Sequence, residues 1–213
     1  ELRMHEAALD SVIARHGHKH QDVAACYTNI GNLYYAQGNY HEALVKHQKS
    51  LEIKLRVFGS EHPDVADSYH NIGNVYTEQG KYTEALMQLQ RGLEIKLRAL
   101  GGEHPEVADS YNDIGDVYTE QRQYEEALIQ LEKSLEIRLR VWGSEDAHVT
   151  GSYTSIGNVY KEQGKLQGAL AQQKSLDMQL RVLGREHLGV AACYHDIGNV
   201  YSAQGKNEVA LVE

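Results

Sequence analysis

The chain has 213 residues and carries 21 Lys plus Arg against 30 Asp plus Glu, a formal balance of −9. That acidic balance argues against nucleic acid or an anionic membrane as partner, and no run approaches the ~18 apolar residues of a membrane span. Cys26 and Cys193 are the only cysteines, so nothing calls for an oxidising compartment and a cytoplasmic location is expected.

Two prolines, one Trp and one Phe stand against 14 Tyr and 19 Gly, a skew that suggests positional rules. The rule is a repeat. Tyr27, Tyr69, Tyr111 and Tyr153 are 42 residues apart, and Tyr194 follows after 41. Gly31, Gly73, Gly115, Gly157 and Gly198 keep the beat, as do Tyr34, Tyr76, Tyr118, Tyr160 and Tyr201. Thirteen of the 14 tyrosines occupy three repeated positions, and Tyr35 is the exception.

In chain order, residues 1–16 read as a second helix (helix B) that has lost its first (helix A). Full repeats follow at 22–59, 64–101, 106–143 and 148–184, and 189–213 begin a last, incomplete one. Within 64–101, helix A is expected from Val65 to Gln79, with an apolar side of Ala66, Tyr69, Ile72, Gly73 and Tyr76. Pro63 suits its first turn, His62 or Ser60 its cap, and Gly80 its end. Helix B is expected from Thr83 to Leu100, with the stripe Leu86, Leu89, Leu93, Leu97 and Leu100. Glu52–Arg56, Glu94–Arg98 and Glu136–Arg140 are set as i,i+4 pairs. Gly73 and Ala85 let the two helices approach. The copy at 168–184 is one residue short near Gln173, where Leu131 has no counterpart, so a rotated or tightened first half of that helix B is expected.

Two helices cannot bury both stripes, but stacked copies can. The stretches EHPDVADSYHNIGNVYTEQGKYTEAL (61–86) and EHPEVADSYNDIGDVYTEQRQYEEAL (103–128) resemble the tetratricopeptide repeat, in the longer form of kinesin light chains. The resemblance covers essentially the whole chain. It implies an all-α, right-handed α-solenoid of stacked antiparallel helix hairpins that binds protein segments, with helix A on the concave side. Neither end shows a polar cap, so the single array, 1–213, is expected to be a fragment of a longer one.

The expected peptide site is a polar ladder along helix A. It comprises Asn29, Asn71, Asp113, Ser155 and Asp196 before the central Ile, Asn32, Asn74, Asp116, Asn158 and Asn199 after the central Gly, and the neighbours His70 and Asn112. Asn offers one acceptor and two donors, enough to hold an extended peptide backbone without reading its sequence. Asp67, Asp109, Glu78, Glu120 and Glu162 lie nearby, and against them stands Lys161. Chaperone-tail-binding and kinesin light chain repeats offer basic grooves; this chain departs from both, so a basic or neutral partner is expected. Two other readings remain open: the sensor arm of a larger enzyme or nucleotide switch, and a structural solenoid that self-associates end to end.

No enzyme, cofactor or metal centre is expected. GNVYTEQGK (73–81) has six residues between its glycines where a phosphate loop has four. His20, His62, His104 and His187 recur once per repeat, too far apart to share a metal, so capping is their expected role. His16, His18 and His20 cluster in a short HGHKH stretch that invites only adventitious metal. Cys26 and Cys193 share a register position four repeats apart, which excludes a mutual disulfide.

Overall fold

The computed structural model describes residues 2–143 and 146–163. They form eight helices and no strand: α1 Leu2–His16, α2 Gln21–Ala36, α3 Tyr40–Phe58, α4 Pro63–Glu78, α5 Tyr82–Leu100, α6 Pro105–Glu120, α7 Tyr124–Trp142 and α8 Ala147–Glu162. The short copy at 168–184 lies outside the described residues, as do Asp196, Asn199, His187 and Cys193.

Helices α2, α4, α6 and α8 are helix A of successive repeats; α1, α3, α5 and α7 are helix B. The chain falls into two compact units, 1–101 and 102–213. In the first, α2 packs on α3, α4 on α5, and the hairpins join through α1 on α2 and α3 on α4. In the second, α6 packs on α7, α7 on α8, and α6 touches α8.

The cores show why the repeat uses small residues. A Cβ on Gly73 would lie 2.7 Å from Leu89 Cγ and 3.4 Å from the Ala85 carbonyl oxygen. Gly115 stands in the same relation to Leu131 and Ala127, at 2.7 and 3.3 Å. Glycine therefore lets a buried leucine of helix B sit directly on helix A. In the first hairpin the leucine is replaced by His47, whose ring lies 2.6 Å from the corresponding position on Gly31 and is 2 % exposed. Helix A also buries residues outside its expected stripe: Val65, Ser68 and Val75 in α4, Val107, Ser110 and Val117 in α6. It packs on two sides, against its hairpin partner and against a neighbouring repeat, so one stripe does not describe it. Helix B likewise buries Ile95 and Lys96 besides Leu89 and Leu93.

The histidines cap. Nδ1 of His20, His62 and His104 accepts the backbone N–H two residues on, at 3.2, 3.2 and 3.3 Å. In α8 the Asp146 carboxylate does this for His148, at 2.8 Å. The ring of His62 stacks on Phe58 with centroids 4.5 Å apart, and that of His148 on Trp142 at 4.2 Å. The pairs on helix B form: Arg56–Glu52 at 2.5 Å, Arg98–Glu94 at 3.9 Å, and Arg140–Glu136. The arginines also reach back to the linker, Arg98 to Glu61 at 2.8 Å and Arg140 to Glu103 at 2.6 Å.

Among the described residues, the first two A–B turns close through a left-handed glycine, Gly38 (φ 75) and Gly80 (φ 70). At the third turn Arg122 takes this conformation, with φ 60. It makes the same bond, Arg122 N–H to the Thr119 carbonyl at 2.8 Å, that Gly38 makes to Tyr35 at 2.9 Å. A left-handed residue with a Cβ costs about 1–2 kcal/mol. Arg122→Gly is therefore expected to stabilise the protein by about 1 kcal/mol, read as a higher midpoint in urea unfolding.

Candidate functional site

The ladder residues sit on successive A helices, as their spacing requires. Asn29 and Asn32 are exposed on α2, Asn71 and Asn74 half-buried on α4, Asp113 half-buried and Asp116 exposed on α6, and Ser155 half-buried and Asn158 exposed on α8. Part of this polarity is satisfied along its own helix. Asn74 Nδ2 and His70 Nε2 are 3.0 Å apart, and Asn112 Nδ2 donates to Asp116 Oδ2 at 2.9 Å.

In the second unit the ladder opens onto a cleft of about 560 Å³, lined by Asp116, Thr119, Glu120, Arg122, Tyr124, Ser155, Asn158, Lys161 and Glu162. It brings together Asp116, Ser155 and Asn158. In the first unit a cleft of about 400 Å³ takes in Asn29, with Thr28, Lys54, Phe58 and Asp64 among its walls. Asn32, Asn71, Asn74, Asn112, Asp113 and His70 line neither.

Electrostatics follow from this crowding. Asp116 is pushed up to about 7, first by desolvation in the cleft and then by Asp113, against the pull of Arg138 and with a further push from Glu120. The residue remains exposed, so water screens part of the effect. Tyr35 and Tyr40 both donate to Glu78, at 3.3 and 3.0 Å. The Tyr35 phenol is raised by burial and then by Glu78; it stays a donor at any ordinary pH.

Asp67 and Asp109 do not stand unopposed on the A helices. Lys96 Nζ lies 3.1 Å from Asp67, and Arg138 Nη2 lies 2.8 Å from Asp109. Both cations come from helix B and are buried. Arg138 also donates to Ser152 Oγ at 2.8 Å and to the His148 carbonyl at 3.3 Å, and Lys54 donates to the Asp64 carbonyl at 3.1 Å. Burial lowers the Lys54 ammonium, with Asp64 and Asp67 opposing the shift. The signal was present: a cation recurs at 54, 96 and 138 inside an otherwise apolar helix face. Thr119, Arg122 and Tyr124 were also missed as lining residues. Their signals were the departure of Arg122 from glycine and the lone out-of-register Tyr35.

Among the described residues no three His, Cys, Asp or Glu are grouped to hold a metal, and no helix is long and apolar enough to cross a membrane. The rings of His16 and His20 stack on each other at 4.4 Å. Cys26 is a free thiol, raised by burial and then by Asp22.

A tetratricopeptide repeat family profile matches residues 2–55, 29–98, 64–140 and 149–212. No curated protein matches the chain. Among solved structures, BtubC (BKLC) of P. vanneervenii superposes with a TM-score of 0.83 at 16% identity, over 99% of this chain and 85% of that one. A putative kinesin light chain with nearly identical repeats from Podospora anserina gives 0.78 at 24% identity, over 90% and 92%. MamA gives 0.59 at 17%, over 88% and 86%. With the profile spread along it, the chain belongs to the tetratricopeptide repeat family, and its fold is that of the kinesin light chain-like repeats in those structures.

Proposed function

We propose that the protein is an interaction scaffold: one array that holds an extended segment of a partner protein along the polar faces of its A helices, without chemistry of its own. Tetratricopeptide repeats generally mediate protein–protein interaction. The observation that carries the finer reading is the cleft between α6 and α8, where Asp116, Ser155 and Asn158 converge on one open space. Small polar groups in a cleft are suited to the N–H and C=O groups of an extended chain.

The partner segment is basic or neutral. Asp116, Glu120 and Glu162 face the cleft together with Arg122 and Lys161, so carboxylates outnumber cations there. The test is fluorescence anisotropy with basic, neutral and acidic polar peptides of equal length. Ser155→Ala/Asn158→Ala and Asn71→Ala/Asn74→Ala are each expected to weaken binding about tenfold, the size of one or two lost hydrogen bonds. Unchanged affinity in both variants, or tight acidic-peptide binding at physiological salt, would overturn the reading. Because Asp116 gains its charge near pH 7, basic peptides should bind more tightly at pH 8 than at pH 6, by roughly threefold at an open site. Asp116→Asn should remove that difference.

A further inference from the structure

Tyr35 is the one tyrosine outside the repeated positions. It stands in the last turn of α2, and its ring meets that of Tyr40 edge to face, with centroids 5.7 Å apart and planes at 63°. The two hydroxyls converge on Glu78, one to each carboxylate oxygen. The A–B turn of this hairpin is thus tied to the end of the next A helix by a carboxylate holding two phenols.

Eighty-four residues on, in the second unit, the same three positions are Thr119, Tyr124 and Glu162. The carboxylate and one phenol are retained; the other phenol is missing. Thr119 does not replace it, because its hydroxyl donates to the Gly115 carbonyl of its own helix at 2.9 Å. Among the described residues the Tyr124 hydroxyl makes no bond to Glu162. All three residues line the cleft of about 560 Å³. The cleft therefore includes the place that a tyrosine ring fills in the first unit.

We infer that this cleft is a tyrosine subsite: a partner segment inserts a tyrosine where Tyr35 sits in the first unit, and its hydroxyl donates to Glu162. The inference rests on the peptide-scaffold reading and names one side chain that the scaffold takes. The ring lies edge to face against Tyr124, as Tyr35 does against Tyr40, a favoured aromatic geometry. Ser155 and Asn158 stand further along the cleft wall for the backbone of the inserted residue. Phenylalanine fits the same space but desolvates Glu162 without giving it a donor, which is a penalty rather than a neutral change. Phosphotyrosine has no hydroxyl to donate to Glu162 and sets its negative charge against Glu120 and Glu162, which Arg122 and Lys161 of the same cleft offset only in part.

The test uses the whole chain and small probes: N-acetyl-tyrosinamide, its phenylalanine analogue and its phosphotyrosine analogue, followed by amide chemical shifts. The tyrosine probe is expected to give saturable shifts centred on Thr119, Arg122, Tyr124 and Glu162. The phenylalanine probe should bind about tenfold more weakly, and the phosphorylated probe should not bind. Thr119→Tyr fills the cleft from within and should abolish the shifts; tyrosine is already accommodated at this register in α2. The reciprocal Tyr35→Thr should open a second tyrosine site, with shifts at Tyr40 and Glu78. Equal binding of tyrosine and phenylalanine overturns the inference, as do shifts that survive Thr119→Tyr. Should peptide binding respond to the Ser155 and Asn158 substitutions but not to tyrosine content or Thr119→Tyr, the tyrosine subsite falls and the scaffold stands. Loss of response to both sets removes both.

Discussion

His47→Leu is expected to make the protein more stable at neutral pH and to remove most of its loss of stability on mild acidification. His47 sits on Gly31 where Leu89 sits on Gly73 and Leu131 on Gly115. The position suits a leucine in volume and direction. Burying an imidazole there in place of hydrocarbon costs about 1–2 kcal/mol even when it is neutral. Its ionisation makes the cost steeper: desolvation, and then the nearby Lys54, lower its pKa from 6.5 to about 4. In the unfolded chain the ring takes up a proton near 6.5, while in the folded protein it resists until about 4. Stability from this site is therefore complete above about pH 6.5 and lost as the pH falls toward 4. The loss levels off below that at about 3 kcal/mol, the free energy of a shift of this size. Urea unfolding at pH 7 and pH 4 measures both effects. If the leucine variant loses as much stability as the parent between those values, His47 is not the sensor.

Arg138→Ala is expected to cost about 2–4 kcal/mol and to loosen the second unit at the joint between its helices. The guanidinium touches three helices at once: Asp109 on α6, its own α7, and Ser152 and the His148 carbonyl on α8. Asp109 is half exposed, so removing the cation leaves an acid that water can resolvate. The main loss is on the buried side, where Ser152 Oγ loses the donor it accepts from, the His148 carbonyl keeps the Ser152 hydroxyl at 3.4 Å, and the helices lose packed hydrocarbon. Asp109→Ala should cost less on its own, because Arg138 keeps its other two acceptors. The double variant should be less damaged than the sum of the singles by about 1 kcal/mol, since the two residues share one bond. Strict additivity would mean that the ion pair contributes nothing and that Arg138 acts only by packing.

The repeat made much of this readable before any coordinates. A 42-residue period, with glycine, tyrosine and alanine at fixed places, specifies helix pairs to within a few residues. The expected Val65–Gln79 helix is Pro63–Glu78, and Thr83–Leu100 is Tyr82–Leu100. Capping by histidine was legible because the ring nitrogen needs only a fixed offset of two residues. The candidate site was less so. Periodicity identifies which positions are equivalent, but a cleft arises where equivalent positions differ. Thr119 against Tyr35 and Arg122 against Gly38 are such differences. The cation recurring at 54, 96 and 138 was visible, but its burial and its partners were not. A lysine or arginine on an apolar helix face reads as solvated, because its partner lies on a different helix and no local spacing points to it.

The stacked linker histidines have a consequence for how order spreads along the chain. His62 supplies the cap of α4 while its ring rests on Phe58 at the end of α3. Fraying the last turn of α3 takes away the surface that orients the ring, and the start of α4 loses its cap with it. In the second unit the cap belongs to Asp146 and the stack to Trp142 and His148. There the cap is a separate residue, but the ring stacked on Trp142 bonds that same carboxylate at 2.7 Å, so fraying the end of α7 reaches the acceptor through His148. The Phe58 joint ties the two helices through one residue, and the Trp142 joint through two. A hydrogen-exchange profile would record this as shared protection across each joint.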